Sequence, residues 1–527
     1  MGTALRLSPE PGWMAEAIHR GGQACGVAHP TTARWTTGLR MAIRWHGSRQ
    51  DSAALLPWPQ SASKLPRRQQ GKPPENSWSP HECRVRRVGM ACAEGLPTAR
   101  RPVRSPRSVQ LRSLPMTAQQ HPLALSTGTD YERLAERFRP IFARIAEGAV
   151  ERERSRGLPY EPLKWLTEAG FGAVRVPLEY GGAGASLPQL VQLLIELAEA
   201  DSNVPQALRG HFAFVEDRLN AHAEARQDKW FRRFVAGELV GNAWTEVGAV
   251  KIGEVGTRVS RRGDQWVVNG HKYYSTGSIF ADWIDVYAQR DDDGRDVIAA
   301  VSTHQSGVRQ SDDWDGFGQR TTGSGSSVFD DAVVAEENII DFSSRFKYQT
   351  ALYQLVLIAV LAGSGRGALR DFASEVRQRT RIYSHGNAPR VSQDAQIQQV
   401  IGKAAALVYA AEATALRAAV PAQRAYETRF GGDERAEHDA NVAAELESAK
   451  AQVVIAELIL RATSDLFNAL GASATSEARQ LDRHWRNART AASHNPLIYK
   501  ERIVGDWEIN GTEPPYVWQI GSGPSAA

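Results

Sequence analysis

The chain has 527 residues, of which 23% are charged and 42% hydrophobic. That length and composition suit a globular protein of two or three domains. The net charge of +4 is unevenly placed: residues 1–115 hold 18 basic and 6 acidic residues, and the remainder holds 45 and 53. The acidic main body argues against a nucleic-acid partner.

The N-terminal segment stands apart in other ways. All three cysteines (Cys25, Cys83, Cys92) and four of the five methionines fall within it, and the fifth methionine is Met116. It is rich in Arg, Pro, Ser and Trp, without a sustained helical or strand period, so residues 1–115 are expected to form a disordered basic extension. Three origins fit: an Arg-rich targeting peptide, a basic arm, or upstream sequence translated from an early start, with Met116 the true beginning. The compositional step at Met116 favours the third. The cysteines lack metal-ligand spacing, and no metal site is expected. The longest apolar run, Leu352 to Gly363, is too short to cross a bilayer and reads as a buried helix. No secretory signal is visible, and the expected location is the cytoplasm, with no membrane association.

From Met116 onward three regimes follow. Residues 116–238 are expected to be a helical domain. DYERLAERFRPIFARIAEGAVERERSRG and YEPLKWLTEAGF are amphipathic, Val174–Pro177 and a glycine-rich turn at 179–184 interrupt them, and LPQLVQLLIELAEA is a long helix. Residues 239–342 change to a period of two. TRVSR and QWVVNGHKYYS form a hairpin about Gly263, and WIDVYAQR, DVIAAVSTH and SSVFDDAVV are further strands. This β domain contains no glycine fingerprint for a Rossmann site. Residues 343–527 turn helical again, with three long Ala- and Leu-rich stretches that suit a bundle.

The order and the motifs VPLEYGGAG (176–184), GNAWTEVG (241–248), NGHKYYSTG (269–277), GFGQRTTGSGSSVFDDAVV (316–334) and AGSGRGAL (362–369) resemble the acyl-CoA dehydrogenase superfamily. The resemblance implies an α+β fold with an N-terminal helical domain, a middle β-barrel and a C-terminal four-helix bundle. It also implies a homotetramer with flavin at a subunit interface. A dehydrogenase of that family needs a carboxylate to take a proton. Its two usual places fall on Asn495 and on the helix 353–362. Neither the latter nor Ala488–Leu497 contains Asp or Glu.

HWRNARTAASHNP, DDWDGFGQRTTGSGS and KYYSTG instead resemble the branch of flavin-dependent monooxygenases typified by dibenzothiophene monooxygenase and enzymes of sulfone metabolism. That branch takes reduced FMN from a separate NAD(P)H-dependent flavin reductase and uses O2, through a flavin hydroperoxide, to oxygenate a small organosulfur or heteroaromatic substrate. The alternative is an FAD-dependent acyl-CoA dehydrogenase or oxidase.

Carried over residue by residue, the resemblance assigns catalytic roles to His494, neutral or protonated near physiological pH, to Thr276 beside flavin N5, and to His211 in the substrate pocket. It assigns flavin contacts to Asn242, Ala243, Trp244, Thr245, Glu246 and Val247, followed by a lid loop to about Val255, and to Lys272, Tyr273, Tyr274, Ser275 and Thr276. Arg345 falls on a phosphate position. Ala472 and Ser473 fall where relatives often have Ala-Arg. A tyrosine and a histidine of the branch fall on Gly210 and Gln206, which points away from dibenzothiophene itself as the substrate.

Overall fold

The computed structural model describes residues 129–246 and 255–516. The expected N-terminal extension, 1–115, lies outside them.

Eight helices open the described chain: α1 (Thr129–Glu136), α2 (Arg139–Glu147), α3 (Ala149–Ser155), α4 (Tyr160–Glu168), α5 (Leu187–Ala200), α6 (Asn203–Ala207), α7 (Arg209–Ala221) and α8 (Asp228–Val235). The amphipathic run after Asp130 is three short helices. Pro140 sits in the first turn of α2, and Gly148 separates α2 from α3. The start of α5 is fixed by a reciprocal cap, in which Ser186 accepts from the Gln189 N–H and the Gln189 side chain accepts from the Ser186 N–H.

The strands are β1 (Val240–Ala243), β2 (Arg258–Arg262), β3 (Gln265–Lys272), β4 (Trp283–Arg290), β5 (Asp296–Ser302), β6 (Val308–Gln310), β7 (Ser327–Val334) and β8 (Ile339–Asp341). They run in the spatial order β6-β7-β3-β2-β4-β5-β8, with β1 parallel to β4. The β2–β3 hairpin is antiparallel from Arg258 opposite Asn269 to Arg262 opposite Gln265. Alternation along the strands sends Val259, Val268, Val286, Val301 and Phe329 into one core. The other face, through Val240, Ile298 and Ala300, packs on Phe214, Trp230, Phe231 and Phe234 of α7 and α8.

Five helices complete the fold: α9 (Gln349–Gln378), α10 (Ala395–Thr428), α11 (Glu434–Asp465), α12 (Arg483–Ser493) and α13 (Leu497–Asn510). The apolar stretch expected to be a buried helix is the first half of α9. Leu352, Leu355, Val356, Leu357, Ile358 and Leu361 are all buried, in a core shared with α5 and with Ala-rich α10 and α11. Each such side chain contributes roughly 1.5–3 kcal/mol as an upper estimate. Alpha9 is apolar enough over its length to cross a membrane, yet 83% of its most apolar window is buried in the protein, as in a bundle core. Among the described residues, helices precede and follow one sheet.

Candidate active site

The two stretches expected to meet a flavin meet each other. Thr245 and Tyr273 form an isolated β-bridge, with the Tyr273 N–H donating to the Thr245 carbonyl at 2.9 Å. The turn after β3 is braced by the segment before β7: the Ser275 N–H donates to the Gly325 carbonyl and the Gly277 N–H to the Thr322 carbonyl. Gly277 has φ +78°, and a Cβ there would collide with the Ala207 carbonyl of α6, so only glycine permits this approach. Tyr274 holds φ +59° without being glycine. Such strain costs of order 1–3 kcal/mol and concentrates at functional segments.

Thr276 is buried at the head of a hydroxyl chain. Its Oγ1 lies 2.9 Å from Ser324 Oγ, which lies 2.7 Å from Thr322 Oγ1, which donates to the Gln319 carbonyl at 2.9 Å. Thr322 uses its one proton on Gln319, so it accepts from Ser324, and Ser324 accepts from Thr276. Thr276 Oγ1 is left with lone pairs to offer. Beside it, Ser275 Oγ and Asn242 Oδ1 are buried without a hydrogen-bond partner among the described residues. Unsatisfied buried polar atoms cost about 1–3 kcal/mol each and in a native fold call for an explanation. A polar, planar ligand seated against β1 and the turn after β3 supplies one, so these residues fit a flavin ring. Asn242 also faces α7: a Cβ on Gly210 would stand 2.7 Å from Asn242 Oδ1.

Side chains at the edges of these stretches have internal partners. Lys272 is fully buried, donating to Glu246 at 2.6 Å and to the Trp244 carbonyl at 3.2 Å. Glu246 also accepts from the N–H groups of Gly256 and Thr257 and from the Thr257 hydroxyl. Burial would raise its pKa, but these bonds hold the carboxyl down at about 2. Lys272 and Glu246 therefore serve the frame, and their segments have backbone to offer. Trp244 is half-buried, its indole N–H donating to Asp285 at 2.9 Å. Tyr273 and Tyr274 pack on one another, and Tyr274 on Trp314. Ala243 is buried in the sheet core. Val247, and with it the expected lid up to residue 254, lies outside the described residues.

His494 caps the C-terminus of α12, just before the break at Pro496 that begins α13. The residue is exposed, and its imidazole lies against Arg209. Arg209 Nη2, at the start of α7, donates to His494 Nε2 at 2.8 Å. An arginine can only donate, so Nε2 is the acceptor and the ring proton sits on Nδ1. Burial, and then the Arg209 charge, hold the His494 pKa well below the ordinary histidine value. The imidazole is thus neutral at physiological pH, which removes the protonated form from the two sequence expectations.

Two assigned roles are corrected. His211 is locked in the fold: its Nε2 donates to the Gly172 carbonyl at 2.9 Å, and its Nδ1 accepts from the Val240 N–H at 3.2 Å. Both nitrogens are used and burial lowers its pKa to about 4, so it ties α7 to the 171–173 turn and β1 and has no atom left for catalysis. Arg345 is fully buried, 3.0 Å from Asp285 and 3.8 Å from Asp217, with its guanidinium 5.0 Å from the Trp244 ring. Against burial, the two carboxylates hold it above its ordinary pKa. Two carboxylates neutralise its charge inside the protein, which disfavours a phosphate there, although its Nε and Nη2 are buried without a hydrogen-bond partner among the described residues. Ala472 and Ser473 lie on an exposed turn, where Ser473 Oγ accepts from Arg379 Nη1 at 2.7 Å, and the structure joins them to none of the groups above. A recess of 190 Å³ between Arg139, Glu196, Glu199 and Arg366 is equally separate, and its arginines are paired with glutamates.

The residue that sequence reading missed is Arg209. It stands two positions before His211 in the same apolar helix. The one signal was a charge in a segment, VPQALRGHFAFV, otherwise suited to burial.

The fold agrees with the comparisons to known proteins. Acyl-CoA dehydrogenase models for the N-terminal, middle and C-terminal domains match residues 129–238, 242–332 and 355–497, so the chain belongs to the acyl-CoA dehydrogenase family. Within it, the chain is similar to dibenzothiophene monooxygenase of Rhodococcus qingshengii, 26% identical over 421 residues covering 75% of this chain and 95% of the relative. It is similar to a probable FMNH2-dependent monooxygenase, SfnC, of Pseudomonas putida, 25% identical over 71% of this chain and 94% of the relative. The structure of TdsC from Paenibacillus sp. A11-2 with FMN and indole matches with TM-score 0.67 at 27% identity, covering 74% of this chain and all of that one.

Proposed function

We propose that the chain is an FMNH2-dependent monooxygenase acting on a small organosulfur or heteroaromatic substrate. The observation that carries this reading is His494, with no Asp or Glu between Ala488 and Leu497, where a dehydrogenase of the family would hold its proton-abstracting carboxylate. The similarity to flavin monooxygenases over nearly their full length supports it.

Reduced FMN, when bound, supplies the electrons with which O2 gives one oxygen atom to the substrate and one to water. The protein does the rest. Asn242, Ser275 and the backbone of 272–276 would hold the ring. Thr276 Oγ1, an acceptor by the hydroxyl chain behind it, would take the N5–H that the ring carries only when reduced. His494 donates from Nδ1. Taking a second proton at Nε2 is opposed by burial and Arg209, so His494 acts as a fixed donor and not as a store of protons.

A separate NAD(P)H-dependent reductase would supply the reduced flavin, a homotetramer would complete the flavin site, and the cytoplasm would be the setting, in sulfur metabolism. The test is turnover with chemically reduced FMN and oxygen. Oxygenated product from a thioether, sulfone or heteroaromatic compound is expected. Dehydrogenation of an acyl-CoA without oxygen insertion would overturn the reading.

A further inference from the structure

Five arginines are buried among the described residues: Arg175, Arg209, Arg218, Arg345 and Arg483. Four of them have a carboxylate. Arg175 is paired with Glu216 at 2.8 Å, Arg218 with Asp217, Arg345 with Asp285, and Arg483 with Asp371. Arg209 has none among the described residues. Its guanidinium makes one hydrogen bond, to the neutral His494 ring, and stacks 5.1 Å from the Tyr353 ring centre. Its Nε is buried with no partner, as are the Tyr353 hydroxyl and the Gln206 Oε1 three residues earlier.

Leaving a buried cation unpaired is costly, and proteins neutralise such charges with a counter-ion. Burial does lower the Arg209 pKa, but only to about 10, so the group is charged at neutral pH. One N–H is used on His494, and the rest of the fork has no acceptor among the described residues. The guanidinium fork matches a planar or tetrahedral oxyanion. Tyr353, whose pKa is raised first by burial, remains a neutral phenol able to donate.

We propose that Arg209 is the anchor for a negatively charged group of the substrate. The substrate class is then a small organic oxyanion, a carboxylate or a sulfur oxyanion such as a sulfinate or sulfonate, held beside His494 with the Tyr353 hydroxyl as a second donor. This deepens the monooxygenase reading and rests on it for the reaction, though not for the binding.

The test is calorimetric titration of the full chain, with and without oxidised FMN. The probes are acetate, benzoate, methanesulfinate and benzenesulfinate, with methyl phenyl sulfone as the uncharged control. At least one anion should bind the wild type saturably. Arg209→Gln, which keeps a donor for His494 but removes the charge, should weaken that anion by roughly tenfold to over a hundredfold. It should leave the sulfone and FMN unchanged. Arg209→Lys should retain part of the anion affinity. Arg209→Gln should not lower the melting temperature, because it removes an uncompensated charge. If it does, Arg209→Lys carries the comparison.

Failure of all four anions to bind, or equal binding of sulfone and anions, overturns the proposal. Loss of FMN affinity in Arg209→Gln with anion binding intact also overturns it and assigns the arginine to the cofactor. Anion binding without product from reduced FMN and oxygen would defeat the monooxygenase reading and leave the anion site standing. Product from uncharged substrates alone would do the reverse.

Discussion

Arg209 and Arg345 lie on two sides of one aromatic pair. The Arg345 guanidinium is 5.0 Å from the Trp244 ring, that of Arg209 is 5.1 Å from the Tyr353 ring, and the two rings are 5.8 Å apart at an angle of 77°. Both arginines are buried. Asp285 and Asp217 neutralise the Arg345 charge, although its Nε and Nη2 make no hydrogen bond among the described residues, and Asp285 also accepts from the Trp244 indole, so charge, ring and sheet are tied together. Beside Tyr353, Arg209 has one hydrogen-bond partner among the described residues, His494. The same residue type is frame on one side and site on the other. The difference lies in which groups the fold brings to it.

The comparison can be broken experimentally, beginning where the effect is largest. His494→Ala removes a fixed donor at the proposed reaction centre, and losses of about 10²–10³ in turnover are typical for one such donor. Oxygen consumption should continue while product falls and hydrogen peroxide rises. Near-normal coupled turnover would take His494 out of the chemistry. Next is Arg345→Met, which strands the Asp285 charge, while Asp217 keeps Arg218. Breaking a buried pair from one side costs about 3–5 kcal/mol, seen as a lower denaturant midpoint. An unchanged midpoint would mean that the pair beside Trp244 does not brace the fold. Arg209→Gln should move stability the other way or not at all, so the two variants measured together test the contrast directly.

A smaller effect concerns acid. His211 has a folded pKa of about 4 against an ordinary 6.5. A depressed histidine favours the folded state in its neutral form, so its contribution is complete above about pH 6.5 and is lost as pH falls toward 4. The full contribution is on the order of 3 kcal/mol. His484, also lowered to about 4 by burial and the neighbouring Arg483, adds in the same window. Stability measured from pH 7 to 4 should therefore fall, and His211→Asn should flatten part of that slope. The smallest effect is that of Thr276→Val. It takes the donor from Ser324 and should cost about 0.5–1.5 kcal/mol of stability. If Thr276 accepts the N5–H, the variant should also weaken reduced FMN more than oxidised FMN. Equal loss for both forms would leave Thr276 a structural hydroxyl.

Much of the architecture was legible from local pattern. Period two and Gly263 located the β2–β3 hairpin, and alternating apolar residues located β4, β5 and β7. The run LPQLVQLLIELAEA is α5 in full. The short strands β1, β6 and β8 were not resolved, because three or four residues carry no measurable period. The apolar face of the first amphipathic run continues past Pro140 and Gly148, so its period does not show that backbone geometry breaks the helix there.

The site divides in the same way. Sequence by itself determined the family order, the absence of a carboxylate in the dehydrogenase positions, and the presence of His494 in its place, because these are matters of which residues occur where. Tertiary structure alone decided what state those residues are in. The His211 ring is consumed by two backbone groups, from Gly172 and Val240, 39 and 29 residues away. Asp285, from β4, neutralises Arg345 at a separation of 60 residues. Arg209 reaches His494 across 285 residues, which no local pattern encodes, and desolvation, then the charge it brings, lower that histidine's pKa. Ionisation and hydrogen-bond capacity depend on what surrounds a group in space, and only the folded chain brings those surroundings together.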